Sequence, residues 1–158
     1  MRILIVTQYF WPEQFRINEL TLGLRDRGHE VTVLTGLPNY PEGDLYPGYG
    51  LFSTADDYEG VPVVRVPLVP RGQARGLRLA ANYLSFAALA SLLGPYHCRR
   101  KFDLIFVFAP SPITACLPAI AMRMFQRSPI LLWVLDPWPE TEAQVRSIAA
   151  LGYSYGAG

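Results

Sequence analysis

A small set of side chains in this sequence has the chemistry to hold or activate a ligand. Arg16 carries a planar guanidinium whose fork matches phosphate oxygens. Asp136 closes an apolar run, where a carboxylate can serve as a base or bind a hydroxyl, and Glu140 follows four residues later. Asn39, Tyr40 and Glu42 offer the amide, hydroxyl and stacking surface that sugars need. Ser111 sits in an Ala-Pro-Ser turn that also ends an apolar run. Each has a plainer reading. Arg16 suits the first turn of a helix, paired with Glu19 or in solvent; Asp136 suits a turn, satisfied by nearby amides; Asn39 and Tyr40 suit a turn as well. Ser111 suits a helix N-cap, and Glu140 suits the start of a helix, where its charge complements the dipole. His29 and His97 lack triad or metal partners, and Cys98 and Cys116 lack metal-like spacing, so no metal is expected.

The elements that would position these groups alternate in type. Arg2 to Thr7 is an unbroken aliphatic run, the pattern of a strand buried on both faces of a parallel sheet. Pro12 and the polar, aromatic residues around it end that strand in an elaborate loop, which includes Phe15. Ile17 to Arg27 then reads as a helix closed by Gly28, and Glu30 to Thr35 as a second strand. Residues Gly36 to Tyr58 are rich in Pro, Gly and Tyr and are expected to form one long structured loop. Val61 to Val69 is a third strand, whose prolines belong at a sheet edge or at the strand's ends. A helix is expected over 74–94, a fourth strand over Phe102 to Phe108, and a helix from Ser111 to Gln126 that Pro118 should kink. A fifth strand, Pro129 to Leu135, and a short helix to Ala150 complete one domain over 1–150, followed by a frayed tail at 151–158. This alternation predicts an α/β, Rossmann-like, doubly wound parallel sheet with strand order 3-2-1-4-5. In such a fold the loop from Gln8 to Arg16 and the turns at Ser111 and Asp136 share one rim.

Composition narrows the functional classes. The chain has 158 residues, 51% apolar and 17% charged, which fits one folded domain rather than a disordered segment. A net charge of +1 gives no reason to expect nucleic acid as a partner. The two cysteines suit reduced thiols in the cytoplasm. No G-x-G-x-x-G follows the first strand and no P-loop occurs, which disfavours a dinucleotide oxidoreductase. The apolar helix near Leu77 to Leu93 carries Arg75, Arg78, Asn82 and Ser85 on one narrow stripe, with Arg71 before it and Arg99, Arg100 and Lys101 after it. It reads either as a core helix across the sheet or as an amphipathic element resting on anionic lipid through those basic residues.

Taken together, Gln8 to Glu13, Phe15 to Asn18, Arg27 to Thr35, Pro38 to Gly43, Asn82 to Phe86, Pro110 to Pro112 and Trp133 to Glu140 resemble the amino-terminal domain of family 4 glycosyltransferases. The likeness is to bacterial fucosaminyltransferase and colanic-acid enzymes that build surface polysaccharides. The resemblance implies a GT-B fold, with the active site between two Rossmann-like domains. The amino-terminal half would supply the acceptor side. A carboxyl-terminal half, not found in these residues, would bind the nucleotide-sugar. The donor would be a co-substrate, a UDP-sugar, with no further cofactor. The acceptor would be a glycan or a polyprenyl-linked sugar at the inner face of the cytoplasmic membrane. Phe15 and Arg16 would approach the sugar and pyrophosphate, with Asn39 and Asp136 orienting the acceptor hydroxyl. Asp136 would be the base only in an inverting member, and the isolated fragment would show no turnover. Two departures stand out: Leu135-Asp136-Pro137 replaces the Gln-Asp-Leu of many relatives, and the Gly- and Tyr-rich tail does not look like the family's continuation. A non-catalytic domain of flavodoxin-like shape is the rival from another class.

Overall fold

The computed structural model describes residues 1–51, 54–73, 76–110 and 113–135. Arg2–Thr7 (β1), Glu30–Gly36 (β2), Val61–Val66 (β4), Leu104–Ala109 (β5) and Ile130–Val134 (β6) form a parallel array, with Ala55–Tyr58 (β3) antiparallel at one edge. The order is β3-β4-β2-β1-β5-β6, which is the expected five-strand order with one strand added. Helices Arg16–Asp26 (α1), Gly76–His97 (α2) and Cys116–Gln126 (α3) cover the faces. Alternation along β1 sends Ile3 and Ile5 to the face that α1 covers through Ile17, and Leu4 and Val6 to the other. There they join Phe86 and Ala90 of α2 and Met122 of α3. The two core clusters thus lie back to back across a sheet that is apolar on both sides.

Local chemistry sets the boundaries. Helix α1 stops where Gly28 adopts φ +82°, and the Gly28 and His29 amides donate to the carbonyls of Arg25 and Leu24, a Schellman closure. Helix α2 continues through Gly94 and Pro95 to His97, past the end expected at residue 94. At Gly94 a Cβ would come within 2.8 Å of Leu34 Cδ2, so the missing side chain lets the helix approach β2 closely. Pro118 does not kink its helix as expected. Ile113–Ala115 is a 3-10 turn and α3 begins at Cys116, so Pro118 falls in the first turn, where a missing N–H breaks no helical bond.

The expected loop over Gly36 to Tyr58 is corrected by β3. Glu59 and Gly60 have φ of 51° and 85°, a two-residue hairpin turn that returns the chain from β3 to β4. Asp56 and Asp57 are poor strand formers, and the pairing is held by side chains instead. Arg65, fully buried on β4, donates to Asp56 Oδ2 at 2.8 and 3.0 Å and to the Trp11 carbonyl at 2.6 Å, with its guanidinium 4.8 Å from the centre of the Tyr49 ring. Burial opposes ionisation of Asp56, but Arg65, the Asp57 amide and the Tyr49 hydroxyl outweigh it and hold the carboxyl below its ordinary range. The prolines of β4 sit near its ends: Pro62 is its second residue and Pro67 follows its last.

Candidate functional site

The carboxyl ends of β1, β2 and β4 deliver three chain segments to one edge of the sheet. Segment 8–15 follows β1, segment 37–46 follows β2, and segment 67–73 follows β4. Glu13 joins the first two. Its carboxylate is buried; Oε2 accepts the Phe10 amide at 3.0 Å, and Oε1 accepts the Asn39 and Tyr40 amides at 2.9 and 2.8 Å. Burial pushes the Glu13 pKa up from 4.5 to about 7, against the opposing pull of those three amides and of Arg65. Asn18 adds a second tie, donating to the Glu13 carbonyl at 2.7 Å and accepting the Trp11 amide.

Asn39 joins the second segment to the third. Its Oδ1 accepts the Arg71 amide at 3.1 Å and the Asn82 side chain at 3.2 Å, while its Nδ2 donates to the Leu37 carbonyl. Asn82, buried on α2, also donates to the Val69 carbonyl and accepts from Gln8 Nε2 at 2.7 Å and from the Tyr9 hydroxyl at 3.4 Å. Burial, followed by the neighbouring Tyr83, pushes the Tyr9 phenol well above its ordinary range, so it stays protonated. The network fixes an aromatic cluster at the rim, in which Tyr9 is buried and the half-buried Phe15 and exposed Tyr40 are the accessible members. Phe15 stacks on Tyr9 with centroids 5.4 Å apart and rings 13° from parallel, and Tyr40 lies 5.3 Å from Phe15 and 5.5 Å from Tyr9. The Arg71 guanidinium sits 4.7 Å from the Tyr40 centroid and 5.8 Å from that of Tyr9, and its Nη1 donates to the Tyr9 hydroxyl at 3.3 Å. Such a surface suits a ligand with sugar-like apolar faces and oxygen acceptors.

The residues expected at the site are distributed as follows. Phe15 and Tyr40 are brought together. Arg16 is exposed beside them as the first residue of α1, without an ion pair among the described residues. Asn39 is wholly buried with its amide engaged, so it positions Tyr40 and Arg71 rather than meeting a ligand hydroxyl, which corrects the contact expected of it. Arg71, expected on a free basic surface, is instead packed into the aromatic rim, which corrects that placement. The polar stripe of α2 is corrected too. Asn82 and Ser85 bond to the backbone of Val69, and Arg78 Nε donates to the Pro70 carbonyl at 3.2 Å, so this stripe faces the protein. Arg99, Arg100 and Lys101 are exposed beyond the end of α2, with Arg99 stacked on Tyr96. Arg75, Ser111, Asp136 and Glu140 lie outside the described residues.

Glu13, Gln8 and Tyr9 lie in the loop expected at the rim, but no individual role is assigned to them from the sequence. The available signal was a Pro-Glu pair inside an aromatic loop, a setting that favours a buried, bonded carboxylate. A cavity of about 330 Å³ lies at the opposite edge, among Arg2, Arg25, His29, Glu30 and Arg100, where the parallel strands begin. Its cations are largely engaged already, Arg2 with Asp103 and Arg25 with Asp26 and Glu59, and ligands of open α/β sheets bind at the other edge. Among the described residues, no group of His, Cys, Asp and Glu gathers as a metal site.

Comparison with known proteins agrees with this architecture. Two crystal structures of the C-terminal domain of a hydrogenase from Pyrococcus furiosus are similar in fold. One superposes with a TM-score of 0.56 at 15% identity, covering 84% of this chain and 90% of that one. The other gives 0.54 at 14% identity, covering 83% and 89%. At such identity the likeness concerns the fold alone. No curated protein matches the sequence. The glycosyl transferase 4-like domain family matches residues 14–156, nearly the whole chain, taking in rim segments 37–46 and 67–73 and the end of segment 8–15 at Phe15, and the chain belongs to that family.

Proposed function

We propose that the chain is the acceptor-side domain of a nucleotide-sugar-dependent glycosyltransferase that extends a lipid-linked or polysaccharide acceptor in bacterial surface polysaccharide synthesis. Family membership supports glycosyl transfer. The observation that carries the acceptor-side reading is the rim of Tyr9, Phe15 and Tyr40 at the carboxyl edge of the sheet, held by the Glu13 and Asn39 bonds. With Tyr9 buried as their support, the accessible rings of Phe15 and Tyr40 suit stacking against the C–H faces of a sugar. The donor is a UDP-sugar held by a carboxyl-terminal domain of the same protein. Arg16, exposed next to the rim, meets the donor pyrophosphate as it enters the cleft. Ser111, Asp136 and Glu140 are assigned to the same rim by the sequence pattern, with Asp136 orienting the acceptor hydroxyl. The enzymes it resembles at the sites quoted above, of fucosaminyltransferase and colanic-acid type, make an amino-sugar or hexose the donor moiety of choice.

The acceptor's lipid tail is accommodated on the outer surface of α2 and α3, at the inner face of the cytoplasmic membrane. Helix α2 is long and apolar enough to cross a bilayer by length and composition, yet it buries Asn82, Phe86, Ala90 and Gly94 against the domain. Its outer face carries Leu77, 90% exposed, with Leu84, Leu92 and Tyr96. Leu117, Ile120, Met124 and Phe125 continue that surface on α3, with Arg99, Arg100 and Lys101 at its border. An apolar face bordered by cations suits contact with an anionic bilayer better than passage through it.

The test is transfer of label from radioactive UDP-sugars to lipid-extractable product, using the protein encoded by the full gene and bacterial membranes. Phe15→Ala and Tyr40→Ala should each reduce transfer by roughly tenfold or more, with the nucleotide affinity unchanged. Full transfer by both variants would overturn the acceptor-side reading.

A further inference from the structure

We propose that Arg71 is a seat for a phosphoryl oxyanion, so that the ligand meeting the aromatic rim carries a phosphate or diphosphate. This rests on the acceptor-side reading and names the chemistry that the site selects.

Two arginines have guanidinium groups packed into this edge of the domain, and they differ in one respect. Arg65 is neutralised by Asp56 at 2.8 Å. Arg71 has no carboxylate partner among the described residues. The acid of the site, Glu13, is already engaged, with both oxygens accepting backbone amides. Among the described residues, Arg71 Nη1 donates to the Tyr9 hydroxyl alone, and Arg71 Nε is enclosed without a hydrogen-bond partner. Arg71 as a whole is half-buried, and a guanidinium held there with no acid beside it is best met at its solvent-facing edge by an anionic oxygen, through a charge-assisted bond.

The seat is built rather than incidental. The Arg71 amide is held by Asn39 Oδ1 at 3.1 Å, and the next amide, Gly72, donates to the Gly43 carbonyl at 2.9 Å. Both glycines have positive φ, +56° at Gly72 and +92° at Gly43, and a Cβ on Gly43 would lie 1.8 Å from the Gly72 oxygen. Only glycine lets these two segments meet so closely, and their contact fixes the backbone on either side of Arg71. The Tyr9 and Tyr40 rings then hold the guanidinium plane by cation–π contact, so the fork is already oriented before a ligand arrives. A neutral sugar would use the aromatic faces and leave the charge of Arg71 uncompensated. A phosphorylated one uses both.

The phosphate can come from a prenyl diphosphate-linked acceptor or from the donor nucleotide, and the experiment separates them. The 158-residue chain would be titrated with inorganic pyrophosphate, geranyl diphosphate and UDP, following the Arg71 Nε–H and Gly72 amide resonances by NMR. Pyrophosphate should shift both saturably. Arg71→Gln should weaken its binding by on the order of tenfold to a hundredfold, and Arg71→Lys, which keeps charge but not the fork, should also weaken it. Arg27→Gln, at an exposed arginine just past the far end of α1, should bind as the unaltered chain does. Tighter binding of geranyl diphosphate than of UDP assigns the oxyanion to the acceptor, and the reverse order assigns it to the donor; either keeps the seat. Absence of a saturable shift, or equal binding by Arg71→Gln and Arg27→Gln, overturns it. Because this readout needs no sugar transfer, the seat can fail while transfer persists, and the two proposals fall separately.

Discussion

Glu13 ties together two loops that follow different strands, and it does so with a buried carboxylate. Its three amide donors favour the ionised form, but burial dominates and raises the pKa from 4.5 to about 7. The folded protein therefore holds the Glu13 proton more tightly than the unfolded chain. The resulting stability is fully present below about pH 4.5 and is lost as the pH rises through about 7, a difference of about 3 kcal/mol. Urea denaturation between pH 4.5 and 8 checks this: the unaltered chain should lose stability relative to Glu13→Gln, which cannot ionise. A constant difference between the two across that range would contradict the assignment. Legibility at this scale depended on whether a residue's partners are local. Arg16 and Tyr40 stand out by type and position. Glu13 does not, because its two decisive donors, Asn39 and Tyr40, lie 26 and 27 residues away. Still longer separations disguised Asn39, whose type suits a sugar contact but whose amide oxygen is engaged by Arg71 and Asn82, 32 and 43 residues away.

At the scale of elements, continuous aliphatic runs made β1, β2 and β5 legible, and Gly28 marked the end of α1, because these signals are contained within a few residues. Strand β3 was missed for the opposite reason. Ala55-Asp56-Asp57-Tyr58 has little strand propensity of its own and pairs because Arg65, on the neighbouring strand, binds Asp56. Helix α2 carried a readable polar stripe, but which way it faced depended on the Val69 and Pro70 backbone, which accepts or supplies its hydrogen bonds. The consequence is that α2 and α3 turn leucine, isoleucine, methionine and phenylalanine outward. An exposed apolar surface of that kind bordered by arginines should bind vesicles of anionic phosphatidylglycerol and bind phosphatidylcholine vesicles more weakly. Replacing Leu84 and Leu92 together by Ser should reduce sedimentation with anionic vesicles by roughly tenfold or more. Equal sedimentation of the variant would remove the membrane from the account.

For the whole molecule, alternation of strands and helices was enough to predict an α/β sheet with its strand order, since parallel strands need crossover connections and those follow one hand. Location of the site follows from the same topology: β1, β2 and β4 all end at one edge, and their trailing segments carry Tyr9, Tyr40 and Arg71 into contact. The cavity at the other edge has Arg2 and Arg25 already paired with acids. The measurement that separates the two is hydrogen–deuterium exchange of the chain with and without a synthetic short-prenyl diphosphate-linked sugar. Protection is predicted in residues 8–18, 37–46 and 69–73. Protection confined to the segments around Arg2, His29 and Arg100 would contradict the account.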